Sequence, residues 1–210
     1  AKASRGGVNV EAEVLRAYYK KKTGGGADLY RLTAAGGVKI YSGTDSIIGR
    51  TAVYDFEQAI LRVDGKKVVF KTGTDTISAT KQMEYWEHQN MAVARENAVA
   101  VHEGKTIRAD IMKALLRKKK DGKTEVYLVE AFDNVVIVSE QDRVRADRGI
   151  YKTDSGIAIL TGNITITRAD SVLTGDQAEV NLNTGVSKLL TVNKLQSRGS
   201  RKKRIRGLIY

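Results

Sequence analysis

The chain has 210 residues, of which 41% are hydrophobic, and a formal net charge of +12. This length and apolar fraction suffice for one sizeable domain or two small ones. The absence of cysteine excludes disulfides and thiolate metal sites, and there is no run of about 18 apolar residues that would cross a membrane as a helix. The positive charge is compatible with nucleic acid, anionic lipid or acidic polysaccharide as a partner.

In chain order, the sequence repeats a short pattern in which an apolar residue is followed two positions later by a small one. Apolar alternation of period two around each pair predicts β-strands. The apolar positions are 29 to 37 residues apart, a period that predicts stacked supersecondary units, here about six. The pairs are Val10 and Ala12, Ile47 and Gly49, Ile77 and Ala79, Ile107 and Ala109, Val144 and Ala146, and Leu173 and Gly175.

Two further sequence features recur at corresponding positions of the repeat. A tyrosine follows the small residue at Tyr18, Tyr54, Tyr85 and Tyr151. A glycine or asparagine followed by an apolar residue recurs at 36–38, 97–98, 134–135 and 162–164, and we interpret the variant at 65–68 as a β-bulge. The Gly/Asn clusters and the Asp residues at unit boundaries predict turns of β-meanders; these residues are Asp45, Asp75, Asp142, Asp147 and Asp170.

Two segments have apolar residues at helical spacing. Val10, Val14 and Tyr18 form one set, and 107, 111 and 115 are the positions of the other. The repeat register places both segments where the other units have strands. Because tertiary context routinely overrides local propensity, we predict strands at both places.

The two longest repeat intervals carry their extra residues at equivalent places, 20–26 and 117–123, and both insertions are basic. We expect two hairpin tips at one edge of the fold. Solvated turns are one interpretation, and contact with phosphate groups is the other. The lysines concerned are Lys20, Lys21, Lys22, Lys118, Lys119 and Lys120.

The C-terminal residues 196–206 contain six basic residues and no acid. This composition predicts a flexible or edge segment that attracts anions. We therefore divide the chain into a β-domain at 1–195 and a basic C-terminal segment at 196–210.

No catalytic constellation is evident. His88 and His102 have no second histidine at ligand spacing. No phosphate-binding loop, nucleophile elbow or dinucleotide fingerprint occurs. We predict a protein that is not an enzyme and has no cofactor and no metal.

Several motifs together resemble the OstA-like domain family. They are GRTAVYDF at 49–56, ILRVDG at 60–65, MEYW at 83–86, MAVARENA at 91–98, VRAD at 144–147, LTGNI at 160–164 and RIRGLI at 204–209. The likeness covers nearly the whole chain. It implies an all-β fold, a single twisted, V-shaped antiparallel β-jellyroll with an open apolar groove.

Within that family, the chain is similar to the periplasmic bridge proteins of lipopolysaccharide transport. The resemblance implies lipopolysaccharide as the ligand, not nucleic acid. It also implies head-to-tail self-assembly and edge-strand pairing with the inner-membrane partner LptC and the outer-membrane partner LptD. We expect a periplasmic location, with any signal peptide absent from this chain. Two alternatives stay open: LptC with its membrane anchor removed, and a basic β-protein that binds nucleic acid or polysaccharide.

The resemblance places acyl-chain contacts on the first strand and on the strands after each Gly/Asn landmark, and the repeat register adds anchor positions. Strands such as 68–70 and 135–138 are apolar on both faces, so each buries both or offers one to an apolar ligand. Ordinary core packing is the alternative for every residue. The predicted lipid-binding residues are Val8, Val10, Val38, Ile40, Ile47, Val68, Phe70, Ile77, Val135, Ile137, Val144, Leu160, Ile164 and Ile166.

Overall fold

The structure is a computed structural model that describes residues 1–72, 75–102, 104–118, 124–139, 142–169, 171–190 and 206–208. In these ranges the chain forms strands throughout, apart from connections and a 3₁₀ turn at Glu87–Gln89. The predicted all-β class is confirmed, and both segments with helical spacing are strands. The first strands are β1 (Lys2–Arg5), β2 (Val8–Glu11), β3 (Val14–Lys21), β4 (Ala27–Ser42), β5 (Asp45–Asp55), β6 (Ile60–Asp64), β7 (Val68–Thr72), β8 (Asp75–Ala79) and β9 (Gln82–Trp86). The remaining strands are β10 (Met91–His102), β11 (Lys105–Lys118), β12 (Thr124–Val138), β13 (Arg143–Lys152), β14 (Ile157–Arg168), β15 (Ser171–Asn181), β16 (Ser187–Leu190) and β17 (Arg206–Leu208).

Within the described ranges, every strand pairing is antiparallel, and the sheet is a long meander. The strands from β10 to β15 pair in sequence order. Elsewhere two short strands share one long partner. These groups are β2 and β3 on β4, β6 and β7 on β5, β8 and β9 on β10, and β16 and β17 on β15.

A line of bulges crosses the sheet. Two consecutive residues with positive φ occur at 36–37 in β4, 96–97 in β10, 133–134 in β12 and 162–163 in β14. At the first of them Ala35 pairs with Thr51 whereas Val38 pairs with Gly49, so two residues oppose one. Bulges of this kind bend a strand and increase its twist. We call this line the bend.

The bend divides the sheet into two arms, which we name by the strand segments they contain. Arm A consists of β3, β6, β9 and β16, residues 27–35 of β4, 91–95 of β10, 124–132 of β12 and 157–161 of β14, and the segments paired with them. Arm B consists of β1, β2, β7, β8 and β17, residues 38–42 of β4, 98–102 of β10, 135–138 of β12 and 164–168 of β14, and their paired segments.

The bend corrects two sequence predictions. Gly162 and Asn163 were expected in a turn, but β14 continues through them, because Thr161 and Ile164 both pair with β15. The Gly65 region was expected to be a bulge. Instead it separates β6 from β7, and both of these short strands pair with β5.

The inner faces of the two arms pack on one another in two core clusters. One cluster joins buried residues such as Val63 and Met83 of arm A to Val38 and Val68 of arm B. The other joins Leu160, Ala178 and Val180 of arm A to Ile137, Ile164 and Ile166 of arm B. Alanine is frequent beside the bend, where the arms are closest. There Gly49 of arm B has no room for a side chain, since an added Cβ would overlap with Cγ1 of Val63 in arm A.

Candidate functional site

One continuous row of mostly apolar side chains runs along the inner face of arm B. Each member is the cross-strand partner of the next, so the row follows from the pairing register. We call it the rim row, because it lies on the side away from the bend. Its members are Val10, Ile40, Ile47, Phe70, Ile77, Ala100, Ile107, Ile137, Val144, Ile166 and Leu173.

All six apolar anchors of the sequence repeat fall in the rim row. A second row, closer to the bend, contains Val38, Val68, Val135 and Ile164, each 0% or 1% exposed. Twelve of the fourteen predicted lipid-binding residues therefore lie in two rows of one arm. The other two are Leu160, which is buried in arm A, and Val8, which is 43% exposed at the start of β2.

Exposure of the rim row changes along the protein. Val10, Ile47, Phe70 and Ile77 are half-buried, as is Ile107. Towards the C-terminus, Ile137, Val144 and Ile166 are at most 3% exposed. There Val180 and Leu182 of the arm A side belong to the same packed cluster and cover the row. The row is thus closed by side chains from Ile137 to Ile166 and at Ile40, and it is partly open at most of its N-terminal positions and at its last member, Leu173.

Arm A faces the open part of the rim row with aromatic and small side chains. Tyr54 pairs with Leu61, which pairs with Tyr85, which pairs in turn with Ala92. Burial raises the pKa of Tyr54 to about 12, and a hydrogen bond to Glu87 adds to this effect. Burial also raises the pKa of Tyr85. Both hydroxyls therefore remain neutral donors at any physiological pH, at the edge of a mainly apolar interior.

The strands that lead into the two basic insertions end at the same outer end of arm A. Counted along the sheet, β4 and β11 are five strand spacings apart, or about 24 Å. In the first tip, Lys20 pairs with Glu57 and Lys22 pairs with Asp28 at 2.7 Å. Lys118 ends β11 and is exposed, and Lys119 and Lys120 lie outside the described residues. The contact of these six lysines with phosphate groups therefore stays a prediction.

A buried ion pair was missed by sequence analysis. Asp142 was interpreted as a turn former, but its side chain is 3% exposed and accepts two hydrogen bonds from Arg168, at 2.6 and 2.5 Å. Arg168 also donates to the backbone oxygen of Gly185. Asp142 directly precedes β13 and Arg168 ends β14, so the pair joins the start of one strand to the end of the next. The two residues are 26 positions apart in the chain, and nothing in the local sequence indicates that they are partners.

The structure does not bring the two histidines together. His88 lies in the 3₁₀ turn at the outer end of arm A, whereas His102 ends β10 in arm B and contacts Asp75. In the described part of the chain, no three His, Cys, Asp or Glu side chains are grouped so as to hold a metal. An open depression of about 430 Å³ beside the bend is lined by residues including Arg50, Lys66 and Lys81. No helix in the described ranges has the length and apolarity to cross a membrane.

Comparison with known proteins agrees with this architecture. No curated protein sequence matches the chain. The crystal structure of LptH from Pseudomonas aeruginosa, described as the LptA homologous periplasmic component of the lipopolysaccharide transport device, has a TM-score of 0.52 at 13% identity. It covers 65% of this chain and 94% of its own, and it shows that the fold is the β-jellyroll of that protein. The family model described as "LptA/(LptD N-terminal domain) LPS transport protein" matches residues 76–186, more than half of the chain. The chain therefore belongs to the LptA/LptD N-terminal domain family of lipopolysaccharide transport proteins.

Proposed function

We propose that this protein is a periplasmic carrier that shields the acyl chains of lipopolysaccharide between its arms and passes them from the inner to the outer membrane, as LptA-like bridge proteins do. The observation that supports this proposal is the rim row, which is continuous along arm B and only half-buried at Val10, Ile47, Phe70, Ile77 and Ile107. Burial of an acyl chain there contributes about 0.8 kcal/mol per CH₂. Adjacent positions of the row are chemically alike, so a lipid moves along it without a large barrier. The proposal involves no catalysis and no cofactor.

The sheet edges support end-to-end assembly. Among the described residues, β3 pairs with β4 alone at one end, and β16 and β17 pair with β15 alone at the other. An exposed edge strand offers unpaired backbone groups to a further strand. We propose that these edges join copies of the chain head to tail and connect them to LptC and LptD.

The family description favours a second candidate, because it names the N-terminal domain of LptD beside LptA. A related possibility is the inner-membrane partner LptC. A bridge binds one partner at each end, whereas a domain that terminates the bridge binds at one end. Pull-down experiments with purified LptC and with purified LptD distinguish these candidates, because only a bridge protein binds both partners.

The acyl-chain proposal is tested by site-specific photocrosslinking to radiolabelled lipopolysaccharide. A photoreactive side chain replaces Ile47, which is half-buried on the inner face, or its neighbour Ile48, which is 45% exposed on the outer face. Both residues are isoleucines of β5, and they differ only in the face of the sheet from which they project. We expect a lipid adduct from position 47 and at most a trace from position 48. Equal labelling of both positions would contradict an interior binding site.

A further inference from the structure

The outer face of arm B carries a one-sided distribution of charge where β10 to β13 lie side by side. Two cross-strand rows project from it, on the surface of the sheet opposite to the rim row. The four strands span about 14 Å. We call this surface the arginine face. Its members are Val99, Arg108, Val136 and Arg145 in the row nearer the bend, and Val101, Thr106, Val138 and Arg143 in the other.

No acid belongs to either row, so the cations of the arginine face are not neutralised there. Arg108, Arg143 and Arg145 are exposed, and in the part of the chain that the structure describes none of them makes an ion pair. The row nearer the bend continues into uncharged side chains, Ser78 on β8 and Thr165 on β14.

The acids that border the arginine face lie at the bend. Asp110 follows Arg108 by two positions, and Asp147 follows Arg145 by two. Each carboxylate accepts a hydrogen bond from the side-chain amide of an asparagine at the bend and not from an arginine of the face. Positive charge is therefore left over beyond the bend.

The outer face of arm A is different, because its charges cancel. Along the row from Arg62 of β6 to Lys188 of β16, three cations alternate with three glutamates. Within this row Lys113 pairs with Glu130 at 2.8 Å. A cationic strip without acids is thus a property of arm B and not of the sheet as a whole.

Valines fill the positions between the arginines. Val101 is 39% exposed, and Val99, Val136 and Val138 are half-buried outside both core clusters. Apolar side chains beside long cationic ones fit the interface of a bilayer, where the former enter between headgroups and the latter stay at the phosphates. A nucleic acid would use the arginines but not the valines, and neither row has an aromatic ring on which a base could stack.

We propose that the arginine face docks this protein on the surface of a bilayer that contains anionic lipid. The guanidinium groups of Arg108, Arg143 and Arg145 contact lipid phosphates, and the exposed valines enter the interface between headgroups. The interior lies on the other side of the sheet, so docking leaves it and the sheet edges accessible. This inference goes beyond the proposed function, because it does not require any lipid to enter between the arms.

Docking is tested by co-sedimentation of the full chain with phosphatidylcholine vesicles that contain or lack phosphatidylglycerol. We expect the wild type to bind only the vesicles with phosphatidylglycerol. A cation near an anionic bilayer surface contributes about fivefold to the affinity. The triple variant R108Q/R143Q/R145Q should therefore bind on the order of 100-fold more weakly. A wild type that binds no vesicle, or binds both kinds equally, would overturn the proposal.

The matched control is R16Q/R62Q/K152Q, which removes three exposed cations from the outer face of arm A. It lowers the net charge by the same amount, and it should bind vesicles as the wild type does. Equal losses in the two triple variants would show the general attraction of a basic protein to an anionic surface, and would overturn the docking face.

The valines are tested separately, because a soluble polyanion would not use them. Val101→Ser should lower the vesicle affinity by about 3–10-fold, whereas Ile150→Ser should leave it unchanged. Ile150 is a fair control, because it is 44% exposed on the outer face of arm A. Vesicle affinity that V101S leaves unchanged would make the face a site for polyanions in general, and would overturn the bilayer proposal.

A direct readout identifies the face that touches the bilayer. Trp86→Phe removes the single tryptophan of the chain, and a new one is then introduced by Val101→Trp or by Ile150→Trp. Lipids brominated on their acyl chains should quench the first and leave the second unquenched. Quenching only in the variant at position 150 would place arm A on the bilayer and would overturn the docking face. The carrier proposal would survive that result, because it is tested by the lipid adduct at position 47.

Discussion

The Nδ2 atom of Asn163 in β14 donates a hydrogen bond to Oδ2 of Asp147 in β13 over 2.8 Å. Asn134 makes the same contact with Asp110 at 2.8 Å, and Asn97 donates to the hydroxyl of Thr80 at 3.3 Å. In each case the acceptor directly follows the small residue of a repeat, and the donor has positive φ. The bend is therefore secured by one side-chain arrangement that recurs along the sheet.

The glycine version of this arrangement gives a prediction about stability. Gly36 and Gly37 are neighbours with φ of 81° and 71°, so alanine costs about 1–2 kcal/mol at either position. At Gly36 the new Cβ would also lie 2.6 Å from Cβ of Glu13, whereas at Gly37 nothing is within 4 Å. We expect Gly36→Ala to lower the free energy of unfolding more than Gly37→Ala does. Urea denaturation measures both, and equal losses would mean that Glu13 moves aside freely.

The buried ion pair gives a second prediction. Arg168→Gln leaves the carboxylate of Asp142 buried without its cation, and we expect a loss of about 3 kcal/mol, at the low end for buried pairs because Arg168 is 48% exposed. The double variant with Asp142→Asn should be more stable than R168Q alone, because the uncompensated charge is gone. Thermal or urea unfolding of both variants checks this order, and the reverse order would contradict it.

The two basic tips are expected to act independently. The strands β4 and β11 next to them are about 24 Å apart along the sheet, more than the screening length of about 10 Å at 0.1 M salt. Replacing the lysines at 20–22 with glutamine, or those at 118–120, should slow lipopolysaccharide loading at low salt and leave saturation crosslinking unchanged. The combined variant should show the product of the two single effects. A much larger effect would indicate one shared patch.

The nucleic-acid or polysaccharide alternative is tested with a polyanion that has no acyl chains. If the protein binds such a polyanion, and its affinity falls steeply as the salt concentration rises, that alternative is favoured.

Assembly through the edge strand gives a fourth prediction. Val14 is 42% exposed on β3, where a lysine would oppose the approach of another strand. Ile150 is 44% exposed on β13, which has partners on both sides. We expect Val14→Lys to reduce concentration-dependent oligomers in sedimentation velocity, and Ile150→Lys to leave them unchanged. A wild-type chain that stays monomeric at high concentration would contradict head-to-tail assembly.

The amino-acid sequence by itself determined the all-β class, the repeat and its inner face. Alternation of period two sets which side chains share a face, and the small residue after each anchor marks where the arms come close. For this reason the anchors from Val10 to Leu173 fall in one row of the structure. The division at residue 195 stays a prediction: residues 196–205 lie outside the described ranges, and Arg206–Leu208 pairs with β15.

Only the tertiary structure decided the relationships between distant strands. A Gly-Asn pair occurs both in turns and in bulges. It forms a bulge when the segments before and after it pair with the same neighbouring strand, as Thr161 and Ile164 both pair with β15. The exposure of the rim row depends on what the opposite arm places above it, which is why Ile137 is closed off and Ile47 is not. The contacts of Arg5 with Phe56 and of Asp142 with Arg168 likewise join residues far apart in the chain. Local composition carries no information about such contacts: the first joins the two arms, and the second joins the start of β13 to the end of β14, which pair side by side in arm B.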